Sequence, residues 1–173
     1  MHPQRPKPLL CAVLLGLLVL GGCSGTPQQA DSSDGRHGST EPPPIPARLT
    51  LAQANDVTLY AISLVGTPYR YGGNTPESGF DCSGLIGHVY KSRASVSAPR
   101  TVASLVDWGQ PVPAPSLRSG DLVVFTQKGV TNHAGIYVGE GRFVHAPSTG
   151  GEVRLEALNS KYWSKQLVSY RRP

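Results

Sequence analysis

An α+β domain is the fold class that this sequence predicts, because the residue pattern changes once along the chain. Between residues 51 and 107 the apolar residues recur at the spacing of amphipathic helices. From residue 121 onward, short runs rich in β-branched and aromatic residues are separated by turn residues. Helices followed by consecutive antiparallel strands are typical of the α+β class. We therefore expect N-terminal helices packed on an antiparallel β-sheet.

The first 22 of the 173 residues have the features of an export signal. Arg5 and Lys7 precede an apolar run over 9–20, which has the length of a signal peptide and is short for a membrane span. The run ends in Leu-Gly-Gly before Cys23, which resembles the lipobox of bacterial lipoproteins. In those proteins the signal is cut before the cysteine, and the cysteine carries the lipid. An ordinary signal peptide with an incidental cysteine is the alternative.

Residues 23–50 are predicted to form a lipid-anchored, disordered linker. Ser, Gly, Pro, Gln and Asp predominate there, and such a segment cannot bury enough apolar surface to fold. Residues 51–173 then form one domain of ordinary size. Ser24 rather than aspartate follows the predicted lipidation site, which in Gram-negative bacteria favours the outer membrane. The expected location is the cell envelope, at the periplasmic face of the outer membrane.

The composition suits a folded domain. Hydrophobic residues make up 39% of the chain and charged residues 16%, which is enough apolar material for a core. The formal net charge of +5 is mildly basic, which suits a polyanionic envelope. We expect a monomer with no nucleic-acid partner.

Two helices and a short third one are predicted ahead of the sheet. The first covers 51–66, and Asn55 or Asp56 could cap its start. The second covers 82–91, and the third lies near 101–107. Five strands follow, which are predicted over 121–127, 133–139, 142–147, 152–158 and 165–172.

Two turn signals predict how these strands are connected. Glu140-Gly141 and Gly150-Gly151 are typical of tight hairpin turns between antiparallel strands. The five strands are therefore expected to follow one another as an antiparallel meander.

Of the three cysteines, Cys82 is the one to which the predicted signal peptide and lipid anchor give no role. Cys11 would leave with the signal peptide and Cys23 would carry lipid, so Cys82 has no disulfide partner within the domain. It follows Asp81 at the predicted start of the second helix. A cysteine there feels the positive end of the helix dipole, and nearby backbone amides stabilise a thiolate. Cys82 is therefore a candidate nucleophile, although most free cysteines are small buried hydrophobes.

A nucleophilic thiol needs a base, and His133 and His145 are the candidates. His133 begins one predicted strand, and His145 lies near the end of the next. A hairpin across 140–141 places both near the same end of adjacent strands. One imidazole can then take the thiol proton while the other fixes its orientation, although two strand histidines taken alone more often have a packing role. His88 points elsewhere around its helix from Cys82, so it is interpreted as structural or surface-exposed.

Five sequence blocks resemble the NlpC/P60 family of cell-wall cysteine peptidases. These blocks are GTPYRYGGNTPESGFDCSGLI, APRT, LRSGDLVVF, NHAGIYVGEGRFVHAPSTGG and a terminal YW with basic residues. They run in the family's order through most of the domain. The resemblance implies a papain-like core, in which a cysteine on a helix packs against an antiparallel sheet that carries the histidines.

The resemblance also implies roles for three residues. Cys82 is the nucleophile, His133 the general base and acid, and His145 the polar third member that orients His133. The implied chemistry is acyl transfer through a thioester, with no metal and no cofactor. The histidines and the lone cysteine also lack the usual spacing of zinc ligands.

The resemblance assigns further residues to the substrate cleft. The Tyr69 hydroxyl would help to stabilise the oxyanion, together with a backbone amide near the nucleophile. Asp81 and Ser83 would line the cleft, and Asp81 could cap the helix at the same time. Arg100 is either an internal ion pair or a substrate contact. Leu105 stands where the family often has a glutamine, so the cleft rim is expected to differ.

The implied substrate is peptidoglycan, with its stem peptides and, through the lipid anchor, the membrane as partners. A lipid-anchored single-domain member resembles endopeptidases that open D-alanyl–meso-diaminopimelyl cross-links. The γ-D-glutamyl–meso-diaminopimelate bond within the stem is the alternative. Two hypotheses from other classes are a non-catalytic peptidoglycan-binding module and a thiol acyltransferase or amidase that acts on lipids.

Overall fold

A computed structural model of the chain describes residues 48–148 and 151–173. The predicted signal peptide over 1–22, the predicted lipidation site Cys23 and the linker as far as residue 47 lie outside the described residues. Within the described residues, no helix has both the length and the apolar character needed to cross a bilayer.

The described residues form helices first and most of the strands afterwards, which confirms the predicted α+β class. The helical half contains α1 (Leu51–Ser63), the short strands β1 (Asn74–Thr75) and β2 (Gly79–Phe80), α2 (Cys82–Ala94) and α3 (Val102–Leu105). The main sheet contains β3 (Gln110–Pro111), β4 (Leu122–Gln127), β5 (Val130–Gly139), β6 (Arg142–His145), β7 (Arg154–Ala157) and β8 (Leu167–Arg172). The two-residue strands β1, β2 and β3 were not predicted, since they are too short to show a periodic pattern.

Helix α1 begins with a capping box that the sequence analysis missed. The Thr50 hydroxyl accepts a hydrogen bond from the Gln53 amide at 3.2 Å, and the Gln53 side chain accepts one from the Thr50 amide at 3.0 Å. The predicted caps Asn55 and Asp56 are wrong, because both lie inside the helix. Leu49 is buried in the core, so residues 48–50, which had been assigned to the linker, lie against the domain.

Helix α2 begins where it was predicted and ends later, at Ala94 rather than Lys91. Asp81 is its N-cap and accepts a hydrogen bond from the Gly84 amide at 2.7 Å. One face of the helix is fully buried against the sheet, through the side chains of Leu85, Ile86, Val89 and Tyr90. Burial of this face fixes α2, which begins with Cys82, against the sheet.

The main sheet has the strand order β3-β8-β4-β5-β6-β7, and every neighbouring pair is antiparallel. The predicted meander is right for β4 to β7 and wrong for β8. The last strand pairs with β4, with Phe125 opposite Val168, instead of with β7. The physical reason lies in β4, whose run Leu122–Phe125 is buried on both faces and therefore belongs in the middle of a sheet.

The two predicted turns have different outcomes. Glu140 and Gly141 connect β5 to β6 with positive φ angles of 51° and 68°, as a tight hairpin requires. The second turn, predicted at Gly150-Gly151, falls partly on residue 150, which lies outside the described residues. β6 and β7, which flank it, do pair antiparallel, with His145 opposite Arg154. The connection between them is anchored to the loop after α1, where the Tyr69 amide donates to the Gly151 carbonyl at 2.8 Å.

The sheet separates two apolar clusters. The larger one joins the helices to the sheet residues Leu122, Val124, Ala134, Ile136 and Val144. The smaller one lies on the other face and consists of Val123, Phe125, Phe143 and Trp163. Alternate residues of β4 therefore contribute to different clusters, as the period of a strand dictates.

A buried ion pair joins the last strand to the start of β4. Arg172 donates from Nε to Oδ1 of Asp121 at 2.9 Å and from Nη2 to Oδ2 at 2.8 Å. Asp121 is 1% exposed and Arg172 is 7% exposed. Arg118 is a more distant second cation, with its Nε 4.0 Å from Oδ1 of Asp121. Removal of Arg172 therefore leaves the buried carboxylate without its hydrogen-bonded counter-charge.

We expect the Arg172→Met substitution to lower the free energy of unfolding by about 3–5 kcal/mol, because the Asp121 carboxylate would stay buried without its guanidinium. Urea denaturation at neutral pH measures this change. Arg142→Met is the matched control, because Arg142 forms an exposed pair with Glu140 and its loss should cost less than about 1 kcal/mol. Equal losses in the two variants would contradict the prediction.

Candidate active site

Strands β5 and β6 bring His133 and His145 into direct contact. Nε2 of His133 lies 2.8 Å from Nδ1 of His145, and the two rings are nearly perpendicular, at 88°. The pairing of Ile136 with Val144 sets this register. The prediction that the two histidines lie near the same end of adjacent strands is therefore confirmed.

Gly135 makes this contact sterically possible, and the sequence analysis did not identify its role. A Cβ atom at Gly135 would lie 2.7 Å from Cδ2 of Phe143 and 3.2 Å from Cβ of His145. Both distances are shorter than ordinary contacts between carbon atoms. A larger residue at this position would therefore displace the ring of His145 or that of Phe143.

Aromatic rings of the smaller apolar cluster enclose the histidine pair. Trp163 stacks on His133, with ring centroids 5.2 Å apart and an interplanar angle of 26°. Phe143 lies beside His145 at 4.8 Å, and Trp163 approaches His145 edge-on at 5.2 Å. The sequence analysis noted the terminal YW block but assigned no role to Trp163. The packing restricts rotation of both imidazoles.

Burial sets the charge state of the pair. It holds the pKa of His133 well below the usual value for histidine, and the neighbouring His145 lowers that pKa further, whereas Glu156 opposes the shift. Burial also lowers the pKa of His145, with a smaller contribution from Arg154. Both imidazoles are therefore neutral at physiological pH, and a neutral imidazole can accept a proton.

Cys82 is the first residue of α2, and α2 packs against β5, the strand that carries His133. Burial raises the pKa of the Cys82 thiol, and the nearby Asp81 carboxylate raises it further. The backbone amides of Ser83 and Cys82 act in the opposite direction, as the position at a helix N-terminus predicts, but they are outweighed. The resting cysteine is therefore a thiol.

The described contacts place the candidate residues in two groups. Tyr69, Asp81, Cys82 and Ser83 lie around the start of α2, and the histidine pair lies on β5 and β6. No hydrogen bond joins the Cys82 thiol to either imidazole within the part of the chain that the structure describes. Contacts between nucleophile and base are often looser in enzymes without substrate.

Asp81 is at the centre of the first group. Its carboxylate accepts hydrogen bonds from the Gly72 amide at 2.9 Å and the Gly84 amide at 2.7 Å. It also forms a bidentate ion pair with Arg100, at 2.6 and 2.9 Å. Burial alone would raise the pKa of Asp81, but the hydrogen bonds from Arg100, Gly84 and Ser83 lower it overall. The predicted helix cap is confirmed, and Arg100 forms an internal ion pair.

Ser83 and Arg100 differ in the solvent exposure of their side chains. The Ser83 side chain is buried, and its hydroxyl donates to the Arg100 carbonyl at 2.6 Å. The Arg100 side chain is 45% exposed despite its ion pair. Ser83 and Arg100 both line a pocket of 270 Å³. Of the two side chains, that of Arg100 therefore offers more free surface to a ligand.

Tyr69 and His88 line different pockets of the described residues. Burial raises the pKa of the Tyr69 hydroxyl, and the charges of Cys82 and Asp81 raise it further. His88 is hydrogen-bonded to the Tyr60 hydroxyl at 2.8 Å and packs on Phe80. His88 thus connects α2 to α1, which fits its interpretation as a structural residue.

A cleft of 490 Å³ opens over the histidines. His133, His145, Glu156, Tyr162 and Trp163 are among its lining residues. Tyr162 and Gln166 also line a neighbouring groove of 740 Å³, to which Lys128, Lys161 and Lys165 contribute. The described lining of this groove contains no acidic side chain, so it presents positive charge to a ligand.

Among residues 48–148 and 151–173, no cluster of three or more His, Cys, Asp or Glu side chains could hold a metal ion.

Comparison with known proteins identifies relatives of the chain. Residues 66–172 match the model of the NlpC/P60 family. The murein DD-endopeptidase MepH of Escherichia coli (strain K12) is 41% identical over 112 residues, which are 62% of this chain and 41% of that protein. The gamma-DL-glutamyl hydrolase of Bacillus subtilis (strain 168) is 38% identical over 110 residues, which are 62% of this chain and 26% of that protein. The chain thus spans less than half the length of these relatives.

Solved structures share the fold. The crystal structure of an NlpC/P60 family protein from Bacillus cereus ATCC 10987 matches with a TM-score of 0.65 and 30% identity. The match covers 75% of this chain and 41% of that one. This likeness confirms the fold that the sequence blocks implied.

The buried histidines predict a loss of stability in acid. Their pKa values are lower in the folded chain than the value of about 6.5 in the unfolded chain, so below that pH the unfolded chain binds more protons. We expect the free energy of unfolding to fall as the pH decreases from about 6.5 to about 4. Asp81, whose pKa is also lowered, adds to the loss only at the acid end of this range.

Urea unfolding at a series of pH values measures this dependence. The double variant His133→Gln/His145→Gln should lose most of the slope, and His88 and, at the acid end, Asp81 should account for the remainder, because their pKa values are also lowered. His88→Gln alone is the matched control and should keep most of the slope. A double variant with the native slope would show that other groups cause the acid sensitivity.

Proposed function

The chain belongs to the NlpC/P60 family, and on that premise we propose that it is a cysteine peptidase that cleaves peptide bonds of peptidoglycan. The observation that carries the proposal is the neutral, hydrogen-bonded pair of His133 and His145, in which His133 lies on β5, the strand that packs against the helix of Cys82. A binding module has no need for a buried imidazole pair of this kind or for a lone thiol in an oxidising compartment.

The proposed reaction starts from an uncharged thiol and an uncharged imidazole. His133 accepts the thiol proton as the sulfur of Cys82 attacks the amide carbon, and the imidazolium then protonates the leaving amine. The product is a thioester, and the same imidazole activates the water that hydrolyses it. His145 orients His133 through their 2.8 Å hydrogen bond. The Tyr69 hydroxyl and a backbone amide at the start of α2 are the proposed oxyanion donors.

We propose the D-alanyl–meso-diaminopimelyl cross-link as the bond that is cleaved. The name of the Escherichia coli relative, a murein DD-endopeptidase, supports this choice. The name of the Bacillus subtilis relative, a gamma-DL-glutamyl hydrolase, supports the γ-D-glutamyl bond as the second candidate. Both substrates carry free carboxylates, and the groove with Lys128, Lys161 and Lys165 offers complementary charge.

A digest of defined muropeptides tests the activity and the bond together. We expect the native protein to convert cross-linked dimers to monomers, and Cys82→Ser to lower the rate at least about 10³-fold because serine lacks an acidic thiol. His133→Gln should have a similar effect, and His88→Gln is the matched control that should retain activity. Chromatography and mass spectrometry identify the products.

The alternative outcomes of this digest are distinct. Shortened monomer stems with intact cross-links would assign the γ-D-glutamyl bond instead. Undiminished hydrolysis by the Cys82→Ser protein would refute the cysteine mechanism. Binding of muropeptides without turnover by the native protein would support a binding module.

We also propose that residues 1–22 are a lipoprotein signal and that Cys23 anchors the protein to the outer membrane, so that the domain acts in the cell envelope. The support is the apolar run that ends in Leu-Gly-Gly before Cys23. The segment that follows would then act as a tether between the lipid and the domain.

Labelling with radioactive palmitate in a Gram-negative host tests the anchor. The native chain should incorporate label and sediment with outer membranes, and Cys23→Ser should do neither, because it has no thiol to acylate. Cys11→Ser is the matched control and should behave as the native chain does. Incorporation of label into the Cys23→Ser protein would contradict the proposed site.

A further inference from the structure

One buried nitrogen of the histidine pair has no hydrogen-bond partner. Nε2 of His145 belongs to a ring that is 0% exposed, and it makes no hydrogen bond within the described part of the chain. A buried N–H without an acceptor loses its hydrogen bond to water and gains none in the protein. Oε1 of Glu156 lies 3.6 Å away from this nitrogen, which is slightly beyond hydrogen-bond distance.

The register of β6 and β7 explains why this carboxylate is near. Glu156 pairs with Phe143, and Phe143 lies on the same sheet face as His145 because the two are separated by one residue. The Glu156 side chain is 28% exposed, so it retains room to adjust by less than 1 Å. Its other oxygen, Oε2, accepts a hydrogen bond from the indole Nε1 of Trp163, the ring that stacks on His133.

The direction of the hydrogen bonds follows from what His133 has to do in the proposed function. To accept the thiol proton on Nδ1, its own proton must be on Nε2, which then donates to Nδ1 of His145. Nδ1 of His145 is therefore an acceptor, so the proton of this neutral ring is on Nε2. That N–H points towards the carboxylate of Glu156. In the other tautomer, a nitrogen lone pair would face the carboxylate.

We propose that Glu156 is a positioning residue that holds His145 in the Nε2–H tautomer and thereby keeps Nδ1 of His133 free to accept a proton. This inference rests on the proposed function. No proton moves to Glu156 in the reaction, since the thiol proton passes to His133 and then to the leaving amine. The negative charge of Glu156 also counteracts the lowering of the His133 pKa that burial causes. It therefore stabilises the imidazolium that forms during the attack.

Nuclear magnetic resonance of the full-length protein tests the tautomer without any substrate. With ¹⁵N-labelled histidine, the native protein and Glu156→Gln should both show a proton on Nε2 of His145, because the amide oxygen of glutamine is still an acceptor. Glu156→Ala should show a mixture of tautomers or the Nδ1–H form. Glu140→Gln removes an exposed carboxylate at the β5–β6 turn and is the matched control.

Kinetics separate positioning from a merely structural role. We expect kcat to fall about 10- to 100-fold in Glu156→Ala with KM almost unchanged, because the residue acts through the histidines and not on substrate. Glu156→Gln should recover part of kcat, since it restores the tautomer but not the charge. Trp163→Phe keeps an aromatic ring and removes the N–H, and it should preserve the Nε2–H tautomer of His145.

These experiments distinguish a failure of the Glu156 inference from a failure of the proposed peptidase activity. If the native protein cleaves no muropeptide but Glu156→Ala still shifts the tautomer, the positioning by Glu156 stands and the proposed activity fails. If His145 keeps its Nε2 proton in a folded Glu156→Ala protein, the inference is overturned, whatever the activity. A lower melting temperature in this variant with unchanged tautomer and kcat would leave Glu156 a purely structural residue.

Discussion

The burial of strand β4 on both faces is the constraint on which the rest of the structure depends. Leu122 and Val124 pack towards the helices, while Val123 and Phe125 pack towards Trp163. A strand that is covered on both faces needs hydrogen-bonded neighbours on both edges, and β5 and β8 occupy them. One core therefore positions the helix of Cys82 and the other encloses the histidine pair, so both parts of the candidate site depend on the same strand.

A single carboxylate fixes the start of the helix that carries Cys82. Asp81 binds the amide of Gly72 in the preceding loop, the amide of Gly84 in the first turn of α2 and the guanidinium of Arg100 ahead of α3. The preceding loop, the first turn of α2 and the segment before α3 therefore converge on one side chain. A helix cap alone contributes about 1 kcal/mol, and the bidentate pair with Arg100 adds geometric specificity. The negative charge of Asp81 also raises the pKa of the Cys82 thiol. The carboxylate that fixes the start of α2 therefore makes the cysteine less acidic.

The histidine pair shows how the surroundings of a site determine its chemistry. Burial among aromatic rings keeps His133 and His145 neutral, which suits a general base and also makes the fold sensitive to acid. In the proposed mechanism, proton transfer accompanies the attack of the sulfur, because no thiolate–imidazolium pair exists beforehand. Glu156 is the nearby charge that favours the imidazolium once it forms, and its contact with Trp163 links that charge to the ring stacked on His133.

The sequence by itself determined the features that depend on neighbouring residues. The start of α2 at Cys82, the cap at Asp81, the hairpin turn at 140–141 and the contact of His133 with His145 all follow from local spacing and turn chemistry. Tertiary structure alone decided the pairing of β8 with β4, the ion pair of Arg100 with Asp81 and the approach of Glu156 to His145. These contacts join residues whose periodicity and propensity carry no information about their partners. They form only because the two cores have to be closed around one sheet.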